Sequence, residues 1–263
     1  VSIRRLHVIN LARRPDRLDR FRRLHPEIAL VRVEAVDGMQ QDSQELVRRN
    51  LLAPGHCYMP GAIGCALTHF ALWQLCAKSG APLHIAEDDV VFCEKFCEIA
   101  ATVLADLGDW DFVHWGCNGD WPMRIKSEYG ENAALVIPDL EENVVTDTRP
   151  RVQSPHAFRL LFGMGTGGYS ISPTGASQLI AKCLPFGANP APICRPKPDG
   201  LALAPSAKRS QETFLKPFMG LNNANNGIDA ELCCHYAGLK AFVCLPALAR
   251  HGFDASDSSI QTA

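Results

Sequence analysis

The sequence predicts an α/β protein with a largely parallel central sheet, and three observations carry that prediction. Short apolar runs bounded by turn residues alternate with stretches at helical spacing, the pattern of repeated strand–helix units. Polar segments follow directly on the predicted strand ends, at residues 10–17, 37–38 and 87–89. In open parallel sheets, ligands bind outside the carboxyl ends of the strands. Finally, one apolar run, Leu83-His84-Ile85-Ala86, enters three consecutive acids, Glu87-Asp88-Asp89, and then turns apolar again at Val90-Val91-Phe92.

The elements follow in order. Leu6 to Leu11 is a first strand. Pro15 fits the first turn of a helix, which Leu18, Phe21 and Leu24 continue near helical spacing. Residues 28–36 are apolar with Arg32 and Glu34 alternating, a second strand that ends in the turn Asp37-Gly38. Asp42 to Leu52 is a short helix with Asp42 or Ser43 as its cap, broken by Pro54-Gly55. Pro60 to Lys78 is a longer helix. Its small residues Gly61, Gly64 and Ala66 permit close approach of another backbone, and Ser79-Gly80 closes it. After the acid-tipped strand come a helix from Phe92 to Leu107 and a strand from Trp110 to Trp115.

Residues 116–158 read mainly as loop, with a short strand from Ala133 to Pro138. The glycines at 163, 165, 167 and 168 precede a strand ending at Ser172, and Pro173 opens a helix to Leu184. Scattered prolines and the run Asn222-Asn223-Ala224-Asn225-Asn226 mark 187–226 as an irregular excursion. A helix then runs from Gly227 through Leu239, and Ala241 to Leu245 is the last strand, followed by a tail. We find no internal repeat, and the chain reads as a single domain over 1–263 with excursions at about 116–158 and 187–226.

Composition sets bounds. The 263 residues are 47% hydrophobic and 21% charged, enough for a real core. A formal net charge of -2 gives no electrostatic basis for nucleic-acid binding. Eight arginines nevertheless crowd the first 23 residues, suiting that end to phosphates or to peripheral contact with an anionic membrane surface. The same run also reads as one solvated helix face. The 11 cysteines include no paired CxxC units at zinc spacing. They read as small buried hydrophobes in a reducing compartment. Val1 leads directly into a basic strand-like segment, so no signal peptide is expected. No apolar run approaches the roughly 20 residues that span a bilayer. The expected location is the cytoplasm, with peripheral contact at the membrane face.

Three adjacent acids repel one another and are poor strand formers. Hard divalent cations such as Mn²⁺ and Mg²⁺ prefer oxygen ligands and would offset them. The alternative is an acidic turn in which Asp88 or Asp89 caps the next helix.

Four segments together resemble glycosyltransferase family 25. They are Val8-Ile9-Asn10-Leu11-Ala12-Arg13-Arg14-Pro15-Asp16-Arg17, the segment from Gly61 to His69, Glu87-Asp88-Asp89-Val90, and Tyr169-Ser170-Ile171-Ser172-Pro173-Thr174-Gly175-Ala176. That family includes bacterial lipopolysaccharide galactosyltransferases and collagen galactosyltransferases. The resemblance implies a GT-A-type nucleotide-sugar-binding fold. It also implies inverting transfer of a sugar, galactose first, from a UDP-sugar to a glycan or glycolipid acceptor such as lipopolysaccharide core, with Mn²⁺ or Mg²⁺ as cofactor. Two departures stand out. Ala62 occupies a position where the family usually has Glu, and the 187–226 stretch is longer and richer in proline.

Within that frame the acids receive roles. Glu87 and Asp89 point at one cation if the strand pleat persists, and Asp88 then faces the sugar or bonds to the protein. The resemblance implies a further metal ligand at His251, which otherwise is a surface-loop histidine. An inverting transfer needs a general base beside the acceptor hydroxyl. Asp229 is the first candidate and Asp120 the second, although Asp229 also suits a plain helix N-terminus. Asn10, Arg13, Arg17 and Asp37 are candidates for uridine and diphosphate contacts, with Arg13 and Arg17 four apart on one helix face. His69, with Thr68, lines the donor site or is a helix-interior histidine bonded to backbone. The glycine-rich run, Gly167 included, forms a pocket wall. Two rivals remain: a non-catalytic relative that keeps the fold as a binding module, and a metal-dependent phosphoesterase.

Overall fold

Strand β1 (Leu6–Asn10) shows why the sheet is covered on both faces. Leu6 and Val8 pack into one apolar cluster and Ile9 into another, as the alternation of a strand requires. The same division recurs at Ile85 and Ala86, and at Phe112 and Val113. Buried on both faces, these strands read as nearly continuous apolar runs.

The computed structural model describes residues 3–117, 122–127, 130–135, 149–190 and 225–252. Asp120, most of the loop at 141–154, the bulk of the 187–226 excursion and the tail beyond residue 252 lie outside the described residues.

Besides β1, the main sheet contains β2 (Leu30–Glu34), β3 (Leu83–Glu87), β5 (Phe112–His114), β6 (Pro122–Ser127), β7 (Gly130–Leu135), β8 (His156–Phe162), β9 (Gly168–Ile171) and β10 (Ala241–Leu245). Their order is β2-β1-β3-β9-β5-β10-β8-β6-β7. β1 is parallel to β2 and β3, and β5 to β10. β9 runs antiparallel between β3 and β5. β8, β6 and β7 extend the far edge by antiparallel pairing. Followed across the sheet, six strands point one way and three, β9, β8 and β7, the other. A two-stranded ribbon, β4 (Val90–Phe92) with β11 (Ala249–His251), lies beside it.

One face carries α3 (Pro60–Ser79), α5 (Pro173–Cys183) and α6 (Ile228–Cys233) around Trp73, Tyr169 and Leu179. The other carries α1 (Pro15–Leu24), α4 (Phe96–Leu107) and the ribbon around Phe21, Phe92 and Trp115. A short helix α2 (Ser43–Arg48) is capped by Asp42, whose side chain accepts from the Gln44 amide at 2.9 Å. Ser172 caps α5, accepting from the Gly175 amide at 3.0 Å, with Pro173 in the first turn.

The structure corrects several boundaries. Phe92 belongs to β4, and the next helix begins at Phe96. The 116–158 region contains the β6–β7 hairpin and the start of β8. The last helix stops at Cys233 and is followed by a 3-10 turn over Tyr236–Gly238. The tail supplies β11. Short strands paired with distant chain carry no periodic signal of their own.

Close approach at Gly64 is real. A Cβ there would lie 2.3 Å from the Val36 carbonyl oxygen, and one at Gly38 would lie 1.6 Å from that of Pro60. Helix α3 thus seats directly on the chain leaving β2.

Three buried histidines are held neutral. Burial lowers His25, His84 and His114 to about 4 from an ordinary 6.5. His25 donates from Nδ1 to the Phe21 carbonyl at 2.9 Å and accepts the Phe92 amide at Nε2 at 3.0 Å, an arrangement only the neutral ring satisfies. Between about 6.5 and about 4 the unfolded chain therefore binds more protons, and stability falls as pH falls. Asp88, raised to about 6, and Asp229, also raised by burial, oppose this over part of the window, two carboxyls against three rings. The urea midpoint should drop steadily from pH 6.5 to pH 4. A flat or rising midpoint would contradict the assignment.

Candidate functional site

The acidic triplet closes the floor of a cleft between β1, β2 and α3. The cleft encloses about 670 Å³, counting solvent at its mouth. Ile9, Leu11, Ala35, Val36 and Met39 form its apolar walls, and Arg13, Arg17, Asp37, Cys65, Thr68 and the three acids form its polar ones.

Strand β3 ends at Glu87, and Asp88-Asp89 form a turn into β4. The pleat that would point Glu87 and Asp89 to one side does not persist. Nor do the acids cap a helix: Lys95, at φ 57°, stands at the N-cap of α4.

Arg17 holds the turn. Its Nε lies 3.0 Å from Asp88 Oδ1 and its Nη2 2.6 Å from Asp89 Oδ2, with the arginine side chain only 7% exposed. Asp88 Oδ2 also accepts from Asn10 Nδ2 at 2.6 Å. Asn10 donates to the Arg14 carbonyl at 2.7 Å and accepts from Arg32 Nε at 3.1 Å. Burial pushes the Asp88 carboxyl up to about 6 against Arg17 and Asn10, and its acidic neighbours add to the rise. Asp89 Oδ1 is buried and has no hydrogen-bond partner among the described residues.

Glu87 faces a different set. Its Oε1 accepts from Thr166 Oγ1 at 2.5 Å and lies 3.4 Å from His69 Nε2. Burial opposes its charge, but His69, Thr166 and His251 together hold it well below the usual carboxylate range. His69 sits behind the cleft wall, fully buried, with Nδ1 2.7 Å from the Tyr169 hydroxyl. That hydroxyl also accepts from Trp73 Nε1 at 3.0 Å. His69 thus bonds to side chains rather than backbone, and Thr68 is the one that lines the cleft.

The glycine-rich run, predicted as a pocket wall, does not line the cleft and packs instead against the tip of β3. The Gly167 carbonyl accepts the Glu87 amide at 2.9 Å. A Cβ on Gly167 would lie 2.9 Å from Val90 Cγ2 and 3.3 Å from His251 Cε1. His251 therefore lies over this glycine and within electrostatic reach of Glu87. Its strand is anchored at Gly252, whose amide donates to the Asp89 carbonyl at 2.6 Å and whose carbonyl accepts from Arg20 at 2.8 Å.

Asp229 stands in the first turn of α6, its Oδ1 accepting the Ala230 amide at 2.9 Å. It is a buried helix-start carboxylate that feels the charge of Glu87 but does not line the cleft. Burial raises it, and the charge of Glu87 raises it further against the Ala230 and Gly165 amides.

Arg13 precedes α1 in a turn, so it does not share a helix face with Arg17, although both line the cleft. It pairs with Asp37, and that hydrogen bond holds the Asp37 carboxyl below its usual range. Asn10 does not line the cleft. The basic first helix is partly turned inward: Arg17 and Arg20 bind the core of the site, while Arg14 and Arg22 pair with Asp16 and Asp19.

The sequence reading missed Cys65, Thr166, Tyr169, Arg20 and Gly252. Cys65 and His69 are one helical turn apart, a spacing that was visible. The other four meet the site only through tertiary contact.

Comparison with known proteins gives the class. The model of glycosyltransferase family 25 (LPS biosynthesis protein) matches residues 3–189. The chain belongs to this family. Procollagen galactosyltransferase 2 of Mus musculus is 29% identical over 197 residues, covering 69% of this chain and 28% of that protein. A glycosyltransferase 25 family member of Drosophila melanogaster is 28% identical over 198 residues, with 69% and 28% covered. The inactive glycosyltransferase 25 family member 3 of Homo sapiens is 34% identical over 126 residues, 41% of this chain and 21% of that protein. The chain thus spans less than a third of the length of each of these relatives.

Replacing Arg17 by Met should leave two buried carboxylates without their cation and cost about 3–5 kcal/mol in chemical denaturation. A loss within experimental error would show that the pair is not structural.

Proposed function

We propose that the chain transfers a sugar, galactose first among candidates, from a UDP-sugar to a hydroxyl of a glycan acceptor with inversion. The observation that carries this reading is the acidic floor of the cleft. Asp88 and Asp89 share one buried guanidinium, Arg17, with Glu87 beside them at the cleft floor, and Asp89 Oδ1 is left without a partner among the described residues. A hard divalent cation, Mn²⁺ or Mg²⁺, fits that charge deficit and oxygen-rich donor set. Asp89, through its unpartnered Oδ1, would hold it, with Glu87 and His251 drawing in from the neighbouring wall as it binds. Once bound, the cation offsets negative charge on the departing diphosphate.

The chain's own residues supply the rest. Leu11, Ala35, Val36 and Met39 offer an apolar slot for the uracil ring. Asp37 suits ribose hydroxyls, and Arg13 is free to exchange Asp37 for phosphate oxygens in a charge-assisted contact. Asn10 and Asp88 position the turn rather than touch the donor. Asp229, with its raised proton affinity, accepts the acceptor's proton.

Lipopolysaccharide core is the favoured acceptor class, placing the protein in the cytoplasm, peripheral to the membrane. The ten cysteines among the described residues are unpaired, which suits a reducing compartment. No described helix is long and apolar enough to cross a membrane.

Thermal-shift binding tests this directly. UDP-galactose should raise the melting temperature in the presence of Mn²⁺, with UDP-glucose as the comparison. Asp89→Asn should remove the metal-dependent part of that shift. Asp229→Asn should keep donor binding and lower transfer by on the order of 10²–10⁴-fold; loss of binding as well would remove it from the base role. If no UDP-sugar binds with or without metal, the transferase reading fails and the binding-module reading stands.

A further inference from the structure

We propose that Cys65 Sγ, His69 Nε2 and Glu87 Oε1 form an inner cation site that takes a borderline-soft divalent ion of the Zn²⁺ type. It is distinct in donor chemistry from the oxygen-rich position at Asp89. It touches the proposed reaction only through Glu87.

Geometry carries the argument. Cys65 and His69 lie one turn apart on α3 and so face the same way, toward the tip of β3. The three ligand atoms all lie within 4.8 Å of one another. His69 is completely buried, yet its Nε2 has no hydrogen-bond partner among the described residues. The nearest carboxylate oxygen, Glu87 Oε1, is 3.4 Å away. That is long for a hydrogen bond between these groups. It matches the edge of a tetrahedron whose metal–nitrogen and metal–oxygen bonds are about 2.0–2.1 Å.

The surrounding bonds orient the ligands as metal sites require. The Tyr169 hydroxyl, 2.7 Å from His69 Nδ1 and 3.0 Å from Trp73 Nε1, can accept from both. When an ion binds, Nδ1 keeps the proton and Nε2 turns a lone pair to the metal; before binding, the same ring instead steadies the Glu87 carboxylate. Thr166 steadies Glu87 by donating to Oε1 at 2.5 Å, leaving that oxygen a second lone pair. Cys65 lines the cleft, so an ion has a path to the site. On binding, the thiol proton leaves to solvent as the metal–sulfur bond forms. A thiolate–imidazole–carboxylate set favours Zn²⁺ over Mn²⁺ or Mg²⁺.

Cobalt(II) is the probe, because a thiolate ligand gives it a near-ultraviolet charge-transfer band. The metal-free full chain titrated with Co²⁺ should develop this band to one equivalent and lose it on addition of Zn²⁺. Cys65→Ser should abolish the band. His69→Gln should weaken Zn²⁺ binding at least tenfold. Cys183→Ala should retain the band; Cys183 sits with Glu231 and His235 in a separate thiol-bearing cluster. Asp89→Asn should also retain it, so failure here and failure of the UDP-sugar reading are separable. No band in the wild-type chain, or a band that survives Cys65→Ser, overturns the proposal. Should Cys65→Ser not fold, alkylation of the wild-type chain with N-ethylmaleimide decides. Zn²⁺ should slow modification of Cys65 at least tenfold, and an unchanged rate overturns the proposal.

Discussion

The guanidinium of Arg17 between Asp88 and Asp89 is the interaction on which the site depends. Two carboxylates in a tight turn next to a third would drive the strand end toward water. Arg17, packed on α1 beside Leu18 and Phe21, keeps them at the floor of the cleft. Because Arg17 comes from α1, the orientation of that helix and the position of the turn are one constraint. The Asp89 carbonyl then receives the Gly252 amide, which brings the end of β11 and His251 to the same place. A buried pair of this kind is weak evidence for net stability. Its effect here is to specify where three distant parts of the chain meet.

The site also separates its acids by environment. Asp88 is raised to about 6 by burial, Asp229 is raised by burial and by Glu87, and Glu87 is held low by His69 and its neighbours. Groups whose proton affinities diverge within a few residues are suited to different tasks. A carboxylate kept charged can face a cation, and one with raised affinity can take a proton. In this arrangement the histidine on α3 is as much a part of the acidic site as the acids themselves.

Features governed by neighbours in sequence were legible from it. Pro15 opens α1, Asp42 caps α2, Pro173 follows the cap of α5, and Gly64 lets α3 approach the chain after β2. The acid-tipped strand and its place in an α/β protein of this family were legible too. What escaped depends on partners far along the chain. Val90-Val91-Phe92 becomes a strand only because Ala249-Arg250-His251 pairs with it. The role of Arg17 was hidden because a basic cluster looks solvent-facing until its acidic partners are placed. Tyr169 reads as an ordinary core aromatic, and its hydroxyl gains meaning only from His69 and Trp73.

The reversed strand β9 has a bearing on how the molecule is made. It occupies the slot between β3 and β5, although both of those precede it in the chain. A polypeptide emerging from the ribosome therefore carries β3 and β5 before the strand that joins them, and must wait for residue 171 to bridge the two and for β10 to tie β5 to β8. The same strand is entered through Thr166 and Gly167, which dock on Glu87. Bridging β3 to β5 and docking Thr166 and Gly167 on Glu87 thus depend on the same stretch of chain, and shorter nascent chains carry the acids without it.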